Sequence, residues 1–152
     1  IDTRIKEPKS IVKKMEKKKY DKTYLNLIEK INDIAGIRIV CTLKDDIFFI
    51  RDLVKQIPDI HILKEKDYVT NPKKSGYSSY HMIVEVPVKL TQKTIYVKCE
   101  IQIRTLAMDF WASFEHKVKY KTKNDVNPKM SKELVNCAKM INKFDTKMIN
   151  YK

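Results

Sequence analysis

The chain has 152 residues, 43% of them hydrophobic, and its 32 basic against 19 acidic side chains give a net charge of +13. These proportions suit one compact domain with its own core, and no apolar run approaches the roughly 18 residues that a membrane-spanning helix needs. Cys41, Cys99 and Cys137 are widely spaced with no CxxC pair, which indicates neither a disulfide framework nor a zinc site and points to a reducing, cytoplasmic setting. The charge has two readings: a field for anionic partners such as nucleotides, nucleic acid or an acidic membrane surface, or a lysine-rich solvated surface. Ile1 is not a natural start, so an upstream segment is expected.

Residues 8–19, PKSIVKKMEKKK, place Ile11, Val12 and Met15 on one stripe behind Pro8 and predict a short basic helix. A second helix is expected at 24–31, then a strand at 37–43, IRIVCTL. An acidic start followed by Ile47, Ile50, Leu53, Val54 and Ile57 predicts a helix over 45–57. A strand over 60–69 leads into a loop at 70–77, TNPKKSGY. Strands at 79–86 and 94–104 flank a Pro-containing, Lys-rich connection. In 106–120 the stripe Ala107, Phe110, Trp111, Phe114 and Val118 predicts a helix with that face in the core. Asn127-Pro128 breaks the chain before a last amphipathic helix at 131–149. The order ααβαβββαα indicates an α+β fold, a mixed sheet flanked by helices, without repeats or a domain boundary. The two glycines, Gly36 and Gly76, are each expected where the backbone requires one.

Four clusters carry possible chemistry. TRIKEPKS (3–10) and the helix after it present Arg4, Lys6, Ser10, Lys13, Lys14 and Lys17, a start suited to phosphates and equally to solvent. In NDIAGIRIV (32–40), Asp33 stands before a glycine and an apolar strand; a helix cap is the commoner role for such a residue, a metal ligand the alternative. The loop in KDYVTNPKKSGYSSYH (66–81) offers Lys73, and Tyr77 as a flat ring for a base, with His81 on the strand beyond. In VKCEIQIRT (97–105), Val97, Cys99, Ile101 and Ile103 alternate with Lys98, Glu100, Gln102 and Arg104. Glu100 is the one strand carboxylate able to meet Asp33 across a sheet. Two carboxylates beside a basic surface are what magnesium-dependent phosphoryl transfer needs.

RIKEPKSI, NDIAGIRIV, KDYVTNPKKSGYSSYH and EIQIRTLAMDFWASFEHKVKYK, in that order, resemble the synthetase domain of the RelA/SpoT family, and most of all its small alarmone synthetases. The resemblance runs from about Arg4 to Lys121. It implies a nucleotidyltransferase-like mixed sheet and one synthetase domain over 1–152 that lacks the helices usually preceding it. It also implies transfer of pyrophosphate from ATP to the 3′-hydroxyl of GDP or GTP, giving ppGpp or pppGpp and AMP, with Mg²⁺ as cofactor. By that likeness Asp33 is the magnesium ligand, and Glu100 the second carboxylate, binding metal or helping to deprotonate the hydroxyl. Arg4 and Arg38 match the pair that holds adenine; Lys6, Lys14 and Lys17 match positions near the ATP phosphates, with Ser10 on the same helix. Tyr77 matches the tyrosine that stacks on guanine, and Lys73, His81 and Gln102 fall around the acceptor. Glu115 is placed to accept from guanine N1–H and its amino group, which adenine does not offer. Tyr80 departs from the family's usual leucine or isoleucine. Small relatives form tetramers and some bind single-stranded RNA. Two rivals remain: a toxic relative that pyrophosphorylates an adenine nucleotide or tRNA, and an inactive RNA-binding module using the +13 charge.

In long family members a charged motif before the DY pair tracks acceptor preference, acidic for GTP and basic for GDP. Here Lys64-Glu65-Lys66-Asp67 is nearer the basic form, with Lys acting as a point charge where Arg would fork. A modest GDP preference is expected that shrinks with salt, since exposed charges are screened within about 10 Å at 0.1 M. Replacing Lys64 by Glu and Lys66 by Asp should move competition assays toward GTP; an unchanged ratio would show that this stretch does not select the acceptor.

Overall fold

The computed structural model describes residues 1–122 and 127–151. Its elements are β1 (Asp2–Ile5), α1 (Pro8–Lys17), α2 (Tyr24–Lys30), β2 (Ala35–Cys41), α3 (Lys44–Lys55), β3 (His61–Asp67), β4 (Tyr80–Lys89), β5 (Thr94–Thr105), α4 (Leu106–Lys121) and α5 (Pro128–Met148), followed by a 3₁₀ turn, Ile149–Tyr151. The strands form a mixed sheet in the order β1-β2-β5-β4-β3. The α+β expectation is met, with one strand more than the sequence predicts.

The additional strand is β1. Its four residues are all exposed, so it carries no alternation to read. It pairs antiparallel with β2 in the register Asp2↔Arg38, Thr3↔Ile37, Arg4↔Gly36, Ile5↔Ala35. Helix α1 then begins at Pro8, behind Glu7 held extended at φ −59°, ψ 140°, as a residue before proline prefers. It ends at Lys17, short of the predicted 19, because Lys19 turns left-handed at φ 57°. The Tyr20 N–H donates to the Met15 carbonyl at 3.0 Å and the Lys19 N–H to that of Glu16 at 2.9 Å, a Schellman closure with lysine in the usual glycine place. Strand β4 continues through Pro87 to Lys89, and the Leu90 N–H donates to the Lys93 carbonyl across the turn into β5.

Two compact units form. The first comprises Ile1–Ile39, Val54–Glu65 and His81–Gln102. It buries Met15, Ile31, Val54, Met82, Val84, Cys99 and Ile101, the inward half of the alternation in β4 and β5.

The second comprises Val40–Leu53, Lys66–Tyr80 and Ile103–Lys152. Trp111 of α4 and Leu134 and Ala138 of α5 form a buried cluster with Tyr77 and Val118 packed against it, and Trp111 Nε1–H donates to the Leu134 carbonyl at 3.1 Å. The predicted apolar stripe of α4 is therefore only half in the core. Phe110 and Phe114 are 68% and 46% exposed and stack on each other at 6.4 Å, because α4 meets α5 through Trp111 and Val118, on another flank. Asn127 caps α5 by accepting the Met130 N–H at 2.8 Å, and Pro128 opens the first turn, so the expected break is the helix start. Thr105 does the same for α4 and donates its hydroxyl to the buried Asp145 at 2.6 Å.

Gly76, in the 70–77 loop, meets its expectation twice over. It sits at φ +90°, and a Cβ there would lie 2.3 Å from the Ala138 Cβ. Gly76→Ala should lose about 2–4 kcal/mol of stability, from left-handed backbone and overpacking together, in chemical denaturation. A loss under about 0.5 kcal/mol would mean that the loop relaxes away from α5 at little cost.

Candidate active site

In the first unit, Asp33 follows α2 and precedes β2, where no helix follows for it to cap. Lys6, just past β1, and Lys14, on α1, each bring Nζ to 2.7 Å from its Oδ2. Oδ1 is buried and has no hydrogen-bond partner among the described residues. Burial pushes this carboxyl upward, but the hydrogen bonds and charges of Lys14 and Lys6 outweigh it and hold Asp33 below the ordinary carboxylate range. Ser10 and Lys17 lie exposed on α1, outside this pairing.

Glu100 of β5 has both oxygens engaged: Oε1 lies 3.2 Å from His81 Nδ1, and Oε2 accepts from Gln102 Nε2 at 2.9 Å. Against an ionised carboxylate, Nδ1 serves as the donor. Burial raises the Glu100 carboxyl, His81 and Gln102 more than offset it, and the negative charge of Asp33 works against them; the result is again below the ordinary value. Two anionic carboxylates that sense each other thus stand in one unit.

The β1–β2 register puts Arg4 beside Gly36 and Asp2 beside Arg38, on one face. A cleft of about 90 Å³ runs along that face, lined by Arg4, Gly36, Arg38, Glu100 and Gln102 among others. The expectation that the Gly36 backbone demands glycine is not met: a Cβ there would make ordinary contact, 3.5 Å from Arg4 Cγ. What Gly36 leaves is room beside the arginine. Lys98, expected in the same polar row, instead donates to the Glu29 carbonyl at 2.8 Å and holds the end of α2.

In the second unit, Tyr77 is the centre. Lys73 Nζ lies 4.8 Å from its ring centroid and 4.7 Å from that of Tyr68, and the two rings meet edge to face at 6.2 Å. Arg104 Nη2 donates to the Tyr77 hydroxyl at 2.6 Å, and its guanidinium carbon is 5.2 Å from the ring centroid. Glu115, on α4, accepts from Lys119 one turn later at 2.7 Å and is 13% exposed. The sequence motifs give Tyr68, Arg104 and Asp109 no site role. Arg104 has a signal in its strongly apolar surroundings.

This geometry has relatives. Residues 3–125 match the family model described as a region found in RelA / SpoT proteins. The chain belongs to the RelA/SpoT family. Within it, the chain is 47% identical to GTP pyrophosphokinase YwaC of Bacillus subtilis, over 99% of this chain and 71% of that protein. It is 36% identical to GTP pyrophosphokinase YjbM of the same organism, over 97% of this chain and 69% of that one. The fold matches the crystal structure of small alarmone synthetase 2 from Bacillus subtilis with a TM-score of 0.90 at 45% identity, over 99% of this chain and 78% of that one. It matches small alarmone synthetase 1 bound to its product pppGpp with a TM-score of 0.90 at 35% identity, over 99% and 76% of the two chains.

Nucleotide pyrophosphokinase chemistry implies a divalent metal. No group of three or more His, Cys, Asp and Glu side chains able to hold a metal occurs among the described residues. A pair of ionised carboxylates, one with an unpartnered buried oxygen, fits a hard cation that draws its remaining oxygen ligands from phosphates and water.

The lowered Asp33 value has a consequence for stability. Its folded pKa lies below the unfolded one, so ionisation stabilises the fold above the ordinary carboxylate range, and that contribution disappears as pH falls through the folded value. Thermal melts of the wild type and Asp33→Asn should differ most above the ordinary carboxylate range and converge as pH falls through the folded Asp33 value. A gap unchanged with pH would show that the pairing with Lys6 and Lys14 adds nothing to stability.

Proposed function

We infer that the chain is a GTP/GDP pyrophosphokinase that makes the alarmones ppGpp and pppGpp. The acceptor's 3′-oxygen bonds to the β-phosphorus of ATP, the bond from that phosphorus to the α-bridging oxygen breaks, AMP leaves, and the hydroxyl proton passes to a base or to water. The observation that carries this reading is the Asp33–Lys6–Lys14 cluster in the same unit as the His81–Glu100–Gln102 set.

Phosphoryl transfer asks the protein for positioning and charge more than for covalent chemistry. Asp33 and Glu100 are the proposed cation ligands, and the cation is Mg²⁺, which when bound neutralises charge on the transferring phosphates. Lys6 and Lys14 are proposed to exchange Asp33 for phosphate oxygens when ATP enters. Arg4 and Arg38, flanking the room left by Gly36, are proposed to hold the adenine between guanidinium planes. His81 and Gln102 fix both oxygens of Glu100. Because Glu100 is held ionised below its ordinary value, it is better suited to hold a cation or accept the 3′-hydroxyl hydrogen bond than to carry the proton away. Lys73, Tyr77 and Glu115 are proposed for the acceptor, with Tyr77 stacking on guanine and Glu115 reading its donor edge.

One synthetase domain in a cytoplasmic setting completes the proposal. No helix among the described residues is long and apolar enough to cross a membrane. A homotetramer of 18.0 kDa chains and single-stranded RNA as a further partner rest on the family resemblance and are readable by light scattering and by filter binding. The net charge of +13 favours one rival, an RNA-binding module without turnover. Steeply salt-dependent RNA binding with no AMP formed would support that rival.

ATP and GDP with magnesium should yield AMP and ppGpp on nucleotide chromatography, and ATP with GTP should yield pppGpp. No AMP with either acceptor would overturn the assignment. Asp33→Asn and Glu100→Gln should each bring the rate below about a tenth of wild type with the fold retained. If either variant keeps more than that, the role given to that carboxylate is wrong; if Glu100→Gln loses stability rather than chemistry, the polar face of β5 is structural.

A further inference from the structure

Arg104 is 7% exposed, and each of its guanidinium nitrogens donates to a different side chain. Nε donates to Ser79 Oγ at 3.3 Å, Nη1 to Asp109 Oδ1 at 3.1 Å, and Nη2 to the Tyr77 hydroxyl at 2.6 Å. The guanidinium is planar and rigid, so anchoring two of its nitrogens fixes where the third points. Ser79 itself is fully buried and its hydroxyl also reaches the Ile103 carbonyl at 3.3 Å, so the anchor is part of the core. Stability alone is a weak reason for this arrangement. Replacing a buried charged network by apolar side chains of similar volume is often neutral or stabilising.

We propose that Arg104 is a positioning residue for the acceptor nucleotide: anchored by Asp109 and Ser79, it locks the Tyr77 ring in the orientation on which the base stacks. The inference rests on the reading of Tyr77 as the guanine platform. A free tyrosine ring turns about two side-chain bonds and loses that freedom when a base stacks on it. A ring already fixed at its hydroxyl has lost the freedom beforehand, so binding does not bear the ordering cost. By the same lock a tyrosine serves better here than a phenylalanine, which keeps the stacking face and loses the tether. Tyr77→Phe is therefore not neutral.

The test is steady-state kinetics with each substrate varied in turn, on Arg104→Met, Asp109→Asn, Tyr77→Phe, the Arg104→Met/Tyr77→Phe double variant, and Tyr77→Ala. Arg104→Met should raise the acceptor KM about tenfold, the size of one charge-assisted hydrogen bond, while the ATP KM stays within about twofold. Tyr77→Phe and Asp109→Asn should shift the acceptor KM the same way by less, and the double variant should fall well short of the product of the single effects. Equal rises in both KM values, or multiplying effects in the double variant, would overturn the positioning role. Should Arg104→Met fail to fold, Asp109→Asn decides alone: an unchanged acceptor KM there overturns the proposal. If Tyr77→Ala leaves the acceptor KM unchanged, the guanine platform is what fails, an outcome separate from the other two.

Discussion

The burial of Asp33 between two lysines is the interaction on which the first unit's arrangement turns. A half-buried carboxylate left alone would protonate or draw in water. Here Lys6 arrives from the end of β1 and Lys14 from the second turn of α1, so the pairing depends on both segments being placed. The Lys6 N–H adds to the tie by donating to the Ile34 carbonyl at 2.8 Å, which continues the β1–β2 ladder up to the residue beside Asp33. An edge strand of four exposed residues has little apolar area to hold it. Its ladder and the ion pairs at its end are what fix it, and fixing it is what brings Arg4 opposite Gly36 and onto the face of Arg38.

The second unit solves a different problem, holding an aromatic ring still at the edge of a core. Three devices converge on the segment that carries Tyr77. Gly76 allows α5 to come close enough that Ala138 stands where a side chain would otherwise be. Trp111 ties α4 to α5 by its indole hydrogen bond. Arg104 fixes the phenol from behind. The loop lysine, Lys73, then rests against the faces of two tyrosines, a weak and reversible contact that a nucleotide's phosphates and base are well able to displace.

Much of this was legible in the sequence because the periodic elements are long. The helices and the four strands other than β1 follow from spacing, and the family motifs supplied the candidate site residues. What escaped was decided by contacts rather than by pattern. Strand β1 is too short and too exposed to show a period. Phe110 and Trp111 are adjacent members of one wide apolar stripe, and only the position of α5 decides that the tryptophan is inside and the phenylalanine outside. Arg104 alternates with Glu100 and Gln102 and so reads like them, yet its partners are Ser79, Asp109 and Tyr77, 25, 5 and 27 residues away. No spacing rule joins those four. Likewise Asp33 and Lys6 are 27 residues apart, and their pairing is invisible until β1 lies along β2.

The electrostatic state of the first unit bears on the order in which charges can assemble there. Asp33 with Lys6 and Lys14 carries a local net charge of +1, and the chain as a whole, at +13, has the same sign. A bare divalent cation would meet repulsion from both, even with an unpartnered Asp33 oxygen available to it. A polyphosphate reverses that sign. Its oxygens offer the lysines a partner of higher charge than a single carboxylate, and Asp33 regains Oδ2 once both lysines turn toward phosphate. Lys6, at 19% exposure, can make that exchange only by a small displacement, whereas Lys14, at 36%, has solvent to swing through. On the proposed reading, the pairing is a resting state of the groups that nucleotide binding would reorganise: two ammoniums keep the carboxylate ionised and in place until phosphate takes them over.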